Sequence, residues 1–581
     1  MARYTAPIRD MQFVLYELFN ANELTDLPTY EEASRDLVDP VLEEAGKLCS
    51  DVLYPINRTG DEEGCIRHED GSVTTPDGFK EAYNMFSEGG WTGMACAAEY
   101  GGMGLPKTVT SLINEMICSA NLSFGMYPGL TYGAYKAIAA HGSDDLKDTY
   151  LPNMVSGKWS GTMCLTEPHC GTDLGLIHTK AIPHDNGSYA VTGTKIFISA
   201  GEHDLSENII HLVLAKLPDA PPGTKGISLF IVPKLIEGQS NQVTCGAIEH
   251  KMGIKASSTC VMNFDGAQGW LVGEPHKGMS YMFTMMNQAR LDVGIQGLGL
   301  AEVAYQGAVD YARERLQGRS ITGVKYPDKP ADPIIVHPDV RRMLLTQRSY
   351  IEGARAMAVW VAMKIDHMLK NPDEARRKQA DEFVQLMTPI VKSLFTDIGF
   401  DCANIGVQVY GGHGFIREHG MEQYVRDARI TQIYEGTNGI QALDLIGRKM
   451  PQKAGGLLRH FFHPVQDYIE ANIHRDDVKA LAKAFGRLQR ATGFLAQVGL
   501  KNPEDAAAGA TEYARLFGLV ALAYMWCRMV ESSIGKEDTF YLAKLDTAAF
   551  FMQKILPQNS SLFASIMAGG ESTMGFEEDA F

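Results

Sequence analysis

The chain has 581 residues, 45% hydrophobic and 21% charged, a balance that excludes disorder as a description of the whole. At about 100–200 residues per domain this predicts roughly three to five domains, each long enough to bury a core. Lys plus Arg number 53 against 70 Asp plus Glu, and the resulting net charge of −17 repels phosphate backbones, so no nucleic-acid partner is expected without a local basic patch.

The opening segment carries Arg9, Asp10 and Glu17 and lacks the unbroken apolar run of a signal peptide. No stretch approaches the roughly 18 apolar residues of a membrane helix, so no membrane span is expected. Ten cysteines without a CxxC pair predict reduced, cytoplasmic usage, and sixteen histidines without HExxH predict no catalytic metal.

Up to about Ser160 the pattern is helical, interrupted by loops such as Glu99–Pro106, EYGGMGLP. The period then changes. Tyr189–Ser199 (YAVTGTKIFIS) follows an Asn186-Gly187 turn signal, and Ile209–Leu217, Ile227–Val232 and Cys260–Phe264 continue as short strands. Without helices between them they predict an antiparallel sandwich or barrel rather than βαβ units. Helical periodicity returns near Met279, with Ala301, Ala304, Ala308, Tyr311 and Ala312 on one face. Beyond about Pro451, two further stripes, Val478–Leu495 and Tyr513–Val530, predict an added helical bundle. The fold class is therefore α+β multidomain: a helical part (1–160), a central antiparallel β part (161–278), a helical bundle (279–450) and a C-terminal helical extension (451–581).

Four segments hold candidate chemistry. Gly294-Ile295-Gln296-Gly297-Leu298-Gly299 is glycine-rich, but no strand precedes it and a helical stripe runs through it, so small residues for close helix packing are expected rather than a phosphate loop. Leu165-Thr166-Glu167-Pro168-His169-Cys170-Gly171-Thr172-Asp173 offers hydroxyls and a close backbone approach to a planar ligand; by itself it also reads as a turn. Phe197 and Ser199 end a strand, as a ring cover and a donor or as core. Gln408–Phe415 (QVYGGHGF) is followed by Gln432–Gln441 (QIYEGTNGIQ), where Glu435 sits in a glycine turn and Thr437 or Asn438 can cap the next helix. A carboxylate there, among Ile433 and Tyr434, is either partly desolvated with a raised pKa or a solvated capping group.

Taken together, EYGGMGLP, LTEPHCGTD, GTKIFIS, QVYGGHGF and RDARITQIYEGTNGIQ resemble the acyl-CoA dehydrogenase family, in its order and approximate spacing, from about Glu99 to Lys449. The helical–β–helical order is also that family's. The resemblance implies FAD between the β domain and the second helical domain. Leu165, Thr166, Gly171 and Thr172 match the loop at the flavin ring and substrate entrance. Phe197 matches a position where the family usually has Trp, and Ser199 the hydroxyl that follows. Arg315 matches an arginine that meets the FAD pyrophosphate of a neighbouring subunit, although Gln317 replaces a usual Phe and His337 falls near a family Gln. Gln408, Gly411 and Gly412 match the backbone-rich adenosine site, and Thr437 and Asn438 residues that approach FAD.

Glu435 matches the catalytic base, with Tyr434 and Gly436 beside it at the substrate; Arg290 matches an arginine that is either close to base and substrate or a structural ion-pair partner. The implied reaction removes an acyl-CoA α-proton to Glu435 while the flavin N5 accepts the β-hydrogen as hydride, giving a trans-2-enoyl-CoA. The Glu435 N–H and a ribityl hydroxyl would hold the thioester oxygen. Electrons would pass to an electron-transferring flavoprotein, and the enzyme would be a homodimer or larger. The length, the opening Tyr4-Thr5-Ala6-Pro7 and the extra bundle resemble a bacterial branch that oxidises 3-methylmercaptopropionyl-CoA to methylthioacryloyl-CoA in dimethylsulfoniopropionate breakdown. Its relatives of similar length oxidise straight-chain acyl-CoAs. An acyl-CoA oxidase, a DNA-associated alkylation-response flavoprotein and a flavin-free scaffold are the remaining readings.

Overall fold

The computed structural model describes residues 4–581, apart from the side chains at 287 and 288. Its contacts divide the chain into two compact units, one of residues 47–105 and 120–289, the other of 4–46, 106–119 and 290–581.

The first unit carries α1 (Pro55–Glu63), α2 (Phe79–Glu88) and most of α3 (Lys107–His141). α3 breaks at Asn121 (φ −161°, ψ 92°), whose Oδ1 accepts the Phe124 N–H and so caps the second half afresh. α4 (Asp144–Val155) begins at Ser143, whose side chain accepts the Leu146 N–H. Seven strands follow: β1 (Trp159–Cys164), β2 (Lys180–Pro183), β3 (Tyr189–Ser199), β4 (Asn208–Lys216), β5 (Ile227–Pro233), β6 (Val243–Ile248) and β7 (Thr259–Leu271). They form one sheet in the order β6-β7-β3-β2-β4-β1, and β5 pairs with both β7 and β4, closing a ring. Of the sandwich and the barrel, the pairing is that of a barrel.

Most pairs are antiparallel, but β1 lies parallel to β4 (Trp159 opposite Asn208) and β2 touches β4 in parallel. The expectation of a wholly antiparallel sheet is corrected here. The β2–β3 excursion supplies the length that a parallel return requires. β4 and β5 read as continuous apolar runs because both faces are buried. Ile210, Leu212, Leu214, Leu229 and Ile231 pack with Ile138, Leu151 and Met154 of the helices, whereas Val213, Ala215, Phe230 and Val232 face Val191, Cys260 and Phe264.

The second unit is helical: most of α5 (Gly278–Glu314), then α6 (Pro338–Lys370), α7 (Glu374–Tyr410), α8 (Met421–Thr431) and α9 (Asn438–Asp444). The extension adds α10 (Gly456–Asn472), α11 (Asp476–Gly499), α12 (Ala510–Ser533) and α13 (Thr539–Phe550). The Gly294–Gly299 segment lies inside α5. A Cβ on Gly297 would sit 2.4 Å from the Phe395 carbonyl oxygen, and one on Gly399 would lie 2.6 Å from the Gly297 Cα. The glycines therefore let α5 and α7 cross with backbones in contact, as the helical stripe predicted. α12 is buried on nearly every side, because α6, α7, α11 and α13 surround it. No helix among the described residues is long and apolar enough to cross a membrane.

Candidate active site

In the helical unit, α8 ends in a turn from Gln432 to Thr437 that leads into α9. The Ile433 and Tyr434 N–H groups close the last turn of α8 on the Ile430 carbonyl (2.9 and 3.0 Å). Glu435 then takes φ 57°, a left-handed conformation costly for a residue with a Cβ. Gly436 follows at φ 86°, where a Cβ would meet Gln441 Nε2 at 2.8 Å. Gln441 Nε2 donates to the carbonyls of Glu435 (3.1 Å) and Gly436 (3.2 Å), and so holds the strained pair from inside. Of the two capping candidates, Thr437 caps α9: its Oγ1 accepts the Ile440 N–H at 3.2 Å.

Asn438 is used differently. Its Nδ2 donates to Asp397 Oδ1 (2.7 Å) and Thr396 Oγ1 (3.0 Å), and its Oδ1 accepts from Lys392 Nζ (2.8 Å). Gln432 Nε2 also donates to Asp397 Oδ1 (2.7 Å). The turn carrying Glu435 is thereby bolted at both ends to one face of α7.

The Glu435 side chain is half-buried, and among the described residues neither its carboxylate nor its N–H makes a hydrogen bond. Burial raises its pKa, while the charges of Arg290 and Lys392 oppose the rise. Arg290 is buried, its Nη1 is 3.8 Å from Asp444 Oδ2, and its Nε has no partner. Arg290 thus makes the ion pair of the second alternative, and its charge also reaches Glu435. Tyr434 turns its hydroxyl to Gln296 Oε1 on α5.

In the β unit, Leu165–Asp173 is pinned from beneath. The buried Glu167 carboxylate accepts from Lys195 Nζ (2.8 Å), Thr179 Oγ1 (2.6 Å) and the His178 (2.7 Å) and Thr179 (3.0 Å) N–H groups. Lys195 also donates to the Leu165 carbonyl (3.0 Å), and these partners hold the Glu167 carboxyl down at about 2. The outer loop is left free: Thr166 is half-buried, Gly171 and Thr172 exposed. Glu167, His169 and Cys170 bring ligand atoms within 4.8 Å of one another, but Glu167 is already neutralised by Lys195.

Phe197 lies where the β3–β7 register slips between Cys260–Ile198 and Met262–Lys195. The bulge gives it φ 58° and leaves it 60% exposed, which excludes the core alternative; Ser199 is half-buried two residues on. Gln408, Gly411 and Gly412 are exposed at the end of α7, Gly411 has φ 60°, and a Cβ on either glycine would meet nothing. Arg315, just past α5, is exposed and makes no ion pair among the described residues. The His337 ring lies 2.9 Å from the Gln317 carbonyl, so the two departures from the family pattern face each other. The roles of Lys392, Asp397, Glu167 and Lys195 escaped the sequence reading; Lys392 alone left a trace, as a single charge in the apolar run Ile390–Phe395.

Models described as acyl-CoA dehydrogenase N-terminal, middle and C-terminal domains match residues 41–158, 162–267 and 276–450, and one described as acetyl-CoA dehydrogenase C-terminal like matches 461–577. The chain belongs to the acyl-CoA dehydrogenase family. It is 42% identical to the 3-methylmercaptopropionyl-CoA dehydrogenase of Ruegeria pomeroyi, over 98% of this chain and 99% of that one. A butyryl-CoA dehydrogenase of Syntrophomonas wolfei is 34% identical over 100% and 99%. The FAD-complexed acyl-CoA dehydrogenase of Bacillus anthracis superposes with a TM-score of 0.75 at 22% identity, covering 94% and 90% of the two chains. Acyl-CoA dehydrogenases are FAD-dependent oxidoreductases, and this chain is one of them. At the positions that the resemblance gives to the cofactor, Phe197 is an exposed aromatic ring, Gly411 and Gly412 are open, and Arg315 makes no ion pair among the described residues.

Proposed function

We propose that the chain dehydrogenates 3-methylmercaptopropionyl-CoA to methylthioacryloyl-CoA, with Glu435 as the base. The observation that carries the base is a half-buried carboxylate, without hydrogen bonds among the described residues, on a strained residue and within the field of two cations. An acyl-CoA α-proton is weakly acidic, so its base must be ionised yet poorly solvated, which this arrangement provides. The free Glu435 N–H suits the thioester oxygen as negative charge develops there. FAD, when bound, supplies the two-electron acceptor for the β-hydrogen. Leu165, Thr166, Gly171, Thr172, Phe197 and Ser199 would hold its ring and the substrate entrance, and Arg315, Gln408, Gly411, Gly412, Thr437 and Asn438 the remainder. Arg290, Tyr434 and Gly436 would line the acyl thioester.

The sulfur substrate is supported by the full-length likeness to the Ruegeria enzyme. Straight-chain acyl-CoAs are the second reading, favoured by the butyryl-CoA dehydrogenase likeness, because a pocket discriminates weakly between a thioether sulfur and a methylene. The four-part division at 160, 278 and 450, a homodimer or larger assembly and an electron-transferring flavoprotein as acceptor belong to the same proposal. Free thiols at all ten cysteines support a cytoplasmic setting.

Anaerobic bleaching of the flavin by a panel of acyl-CoAs tests the substrate. Bleaching fastest with 3-methylmercaptopropionyl-CoA is expected, and a stronger preference for butyryl- or octanoyl-CoA overturns it. Peroxide formed without an acceptor protein would make the enzyme an oxidase, and a salt-dependent DNA shift would point to the alkylation-response relatives.

A further inference from the structure

Lys392 is a fully buried ammonium on α7, and the reaction outlined above leaves it without a task. Its one hydrogen bond among the described residues runs to a neutral acceptor, Asn438 Oδ1 at 2.8 Å. Among the described residues no carboxylate lies within ion-pairing distance, whereas Lys195, the other buried lysine of the candidate site, has Glu167 at 2.8 Å. Burying an ammonium without a direct counter-ion is costly, so a lysine held this way requires another source of compensation. Asp397, five residues on along α7, supplies part of it but already accepts from Asn438 and Gln432. The other negative charge that reaches Lys392 is Glu435.

We propose that Lys392 is a positioning residue for the dehydrogenation: its ammonium, seated on Asn438, fixes the turn that carries Glu435 and supplies a positive charge facing the base. The inference rests on the reading of Glu435 as that base. The other charged or titratable groups around the pair are Arg290 on α5, Asp444 on α9, Arg448 and Lys449 just beyond it, Asp397 on α7 and the Tyr434 phenol. Arg290 is engaged by Asp444, itself bonded by Arg448, so part of its charge is already answered. Lys392 lacks such a partner among the described residues. Burial pulls its ammonium down to about 8, so the proton is still held at neutral pH.

The test is the pH profile of single-turnover flavin reduction by the acyl-CoA in holoenzyme carrying Lys392→Met, Lys392→Gln or Lys392→Arg. A positive charge beside a carboxylate favours its ionised form. Losing that charge therefore moves the acid limb to higher pH, by about one unit, and lowers the rate below the limb about tenfold, with recovery above it. Lys392→Gln keeps a donor for Asn438 and separates charge from hydrogen bond; Lys392→Arg returns the limb to its wild-type position.

A limb that stays in place in both neutral variants, or a uniform loss at every pH, overturns the proposal. So does a lysine needed only for folding, shown by neutral variants that hold no flavin while the arginine variant does. Glu435→Gln run in parallel separates the two readings. Retained turnover there removes the base, whereas an inactive Glu435→Gln beside an unmoved limb removes only the role of Lys392.

Discussion

Two clusters of buried charge in the helical unit are built to opposite plans. At the first, Arg355 donates through Nε to both oxygens of Glu115 (2.9 and 3.1 Å), through Nη2 to Glu302 (2.6 Å), and through Nη1 to Asp10. Lys544 of the extension bonds Asp10 and Glu352 (2.8 Å), and Arg348 bonds Glu352 (2.7 Å). Almost every donor finds a carboxylate, and the contacts tie the N-terminal segment, α3, α5, α6 and α13 together. At the second, among the described residues, Glu435 has no hydrogen bond, Arg290 reaches Asp444 only at 3.8 Å with its Nε unmatched, and Lys392 rests on an amide. Charges that are matched hold a fold; charges left unmatched retain bonding capacity for a ligand and a titration range for chemistry.

The sharpest way to break this contrast is one substitution in each cluster. Glu435→Gln keeps size and removes the base. We expect flavin content and melting temperature to hold while dye-coupled turnover falls by at least about 10²–10⁴-fold; near-wild-type turnover would place the base elsewhere. Arg355→Met should do the reverse. It strands Glu115 and Glu302 in the interior and leaves Asp10 with Lys544 alone, and should cost about 3–5 kcal/mol of stability in denaturant unfolding, leaving kcat per folded flavin unchanged. A loss of kcat without a loss of stability would show that the first cluster also serves the reaction.

How much of this was legible depended on the range of the interaction. The β4 and β5 runs announced strands, and the Gly294–Gly299 helical stripe announced a close crossing, because both signals are local in sequence. Glu435 stood out as a candidate because its neighbours form one contiguous segment. Its left-handed backbone was not, since the glycine that would have flagged it is the next residue, Gly436. Lys392 was hidden because it meets Asn438 46 residues later, and Glu167 because it meets Lys195 28 residues on. The parallel β1–β4 pairing was missed for the same reason. For α12, one stripe was visible, but burial of Phe517, Leu519, Leu522 and Trp526 off that stripe depends on how many helices surround it.

A pH titration sharpens the comparison less violently. Several carboxylates share the cations of the Arg355 cluster, and burial lifts Glu115 from 4.5 to about 7. A folded-state pKa above the unfolded one means that the native state binds the extra proton, so this group makes stability fall as pH rises from about 4.5 to 7. Glu115→Gln fixes the protonated form and should flatten that part of the profile, read as the urea midpoint against pH. An unchanged slope would assign the proton to another member of the cluster.

The smallest expected effect isolates the turn from the charges around it. Thr437 caps α9 through its hydroxyl and carries no charge, so Thr437→Ala removes one satisfied N–H at the helix start, worth about 1 kcal/mol. Thr437→Ser should restore it. If the 432–438 turn is held chiefly by Asn438 on α7, the alanine variant will lower stability slightly while the acid limb of the rate profile stays in place. A shift of that limb would mean instead that the cap sets the orientation of Glu435, and that the α7 contacts tolerate a moving base.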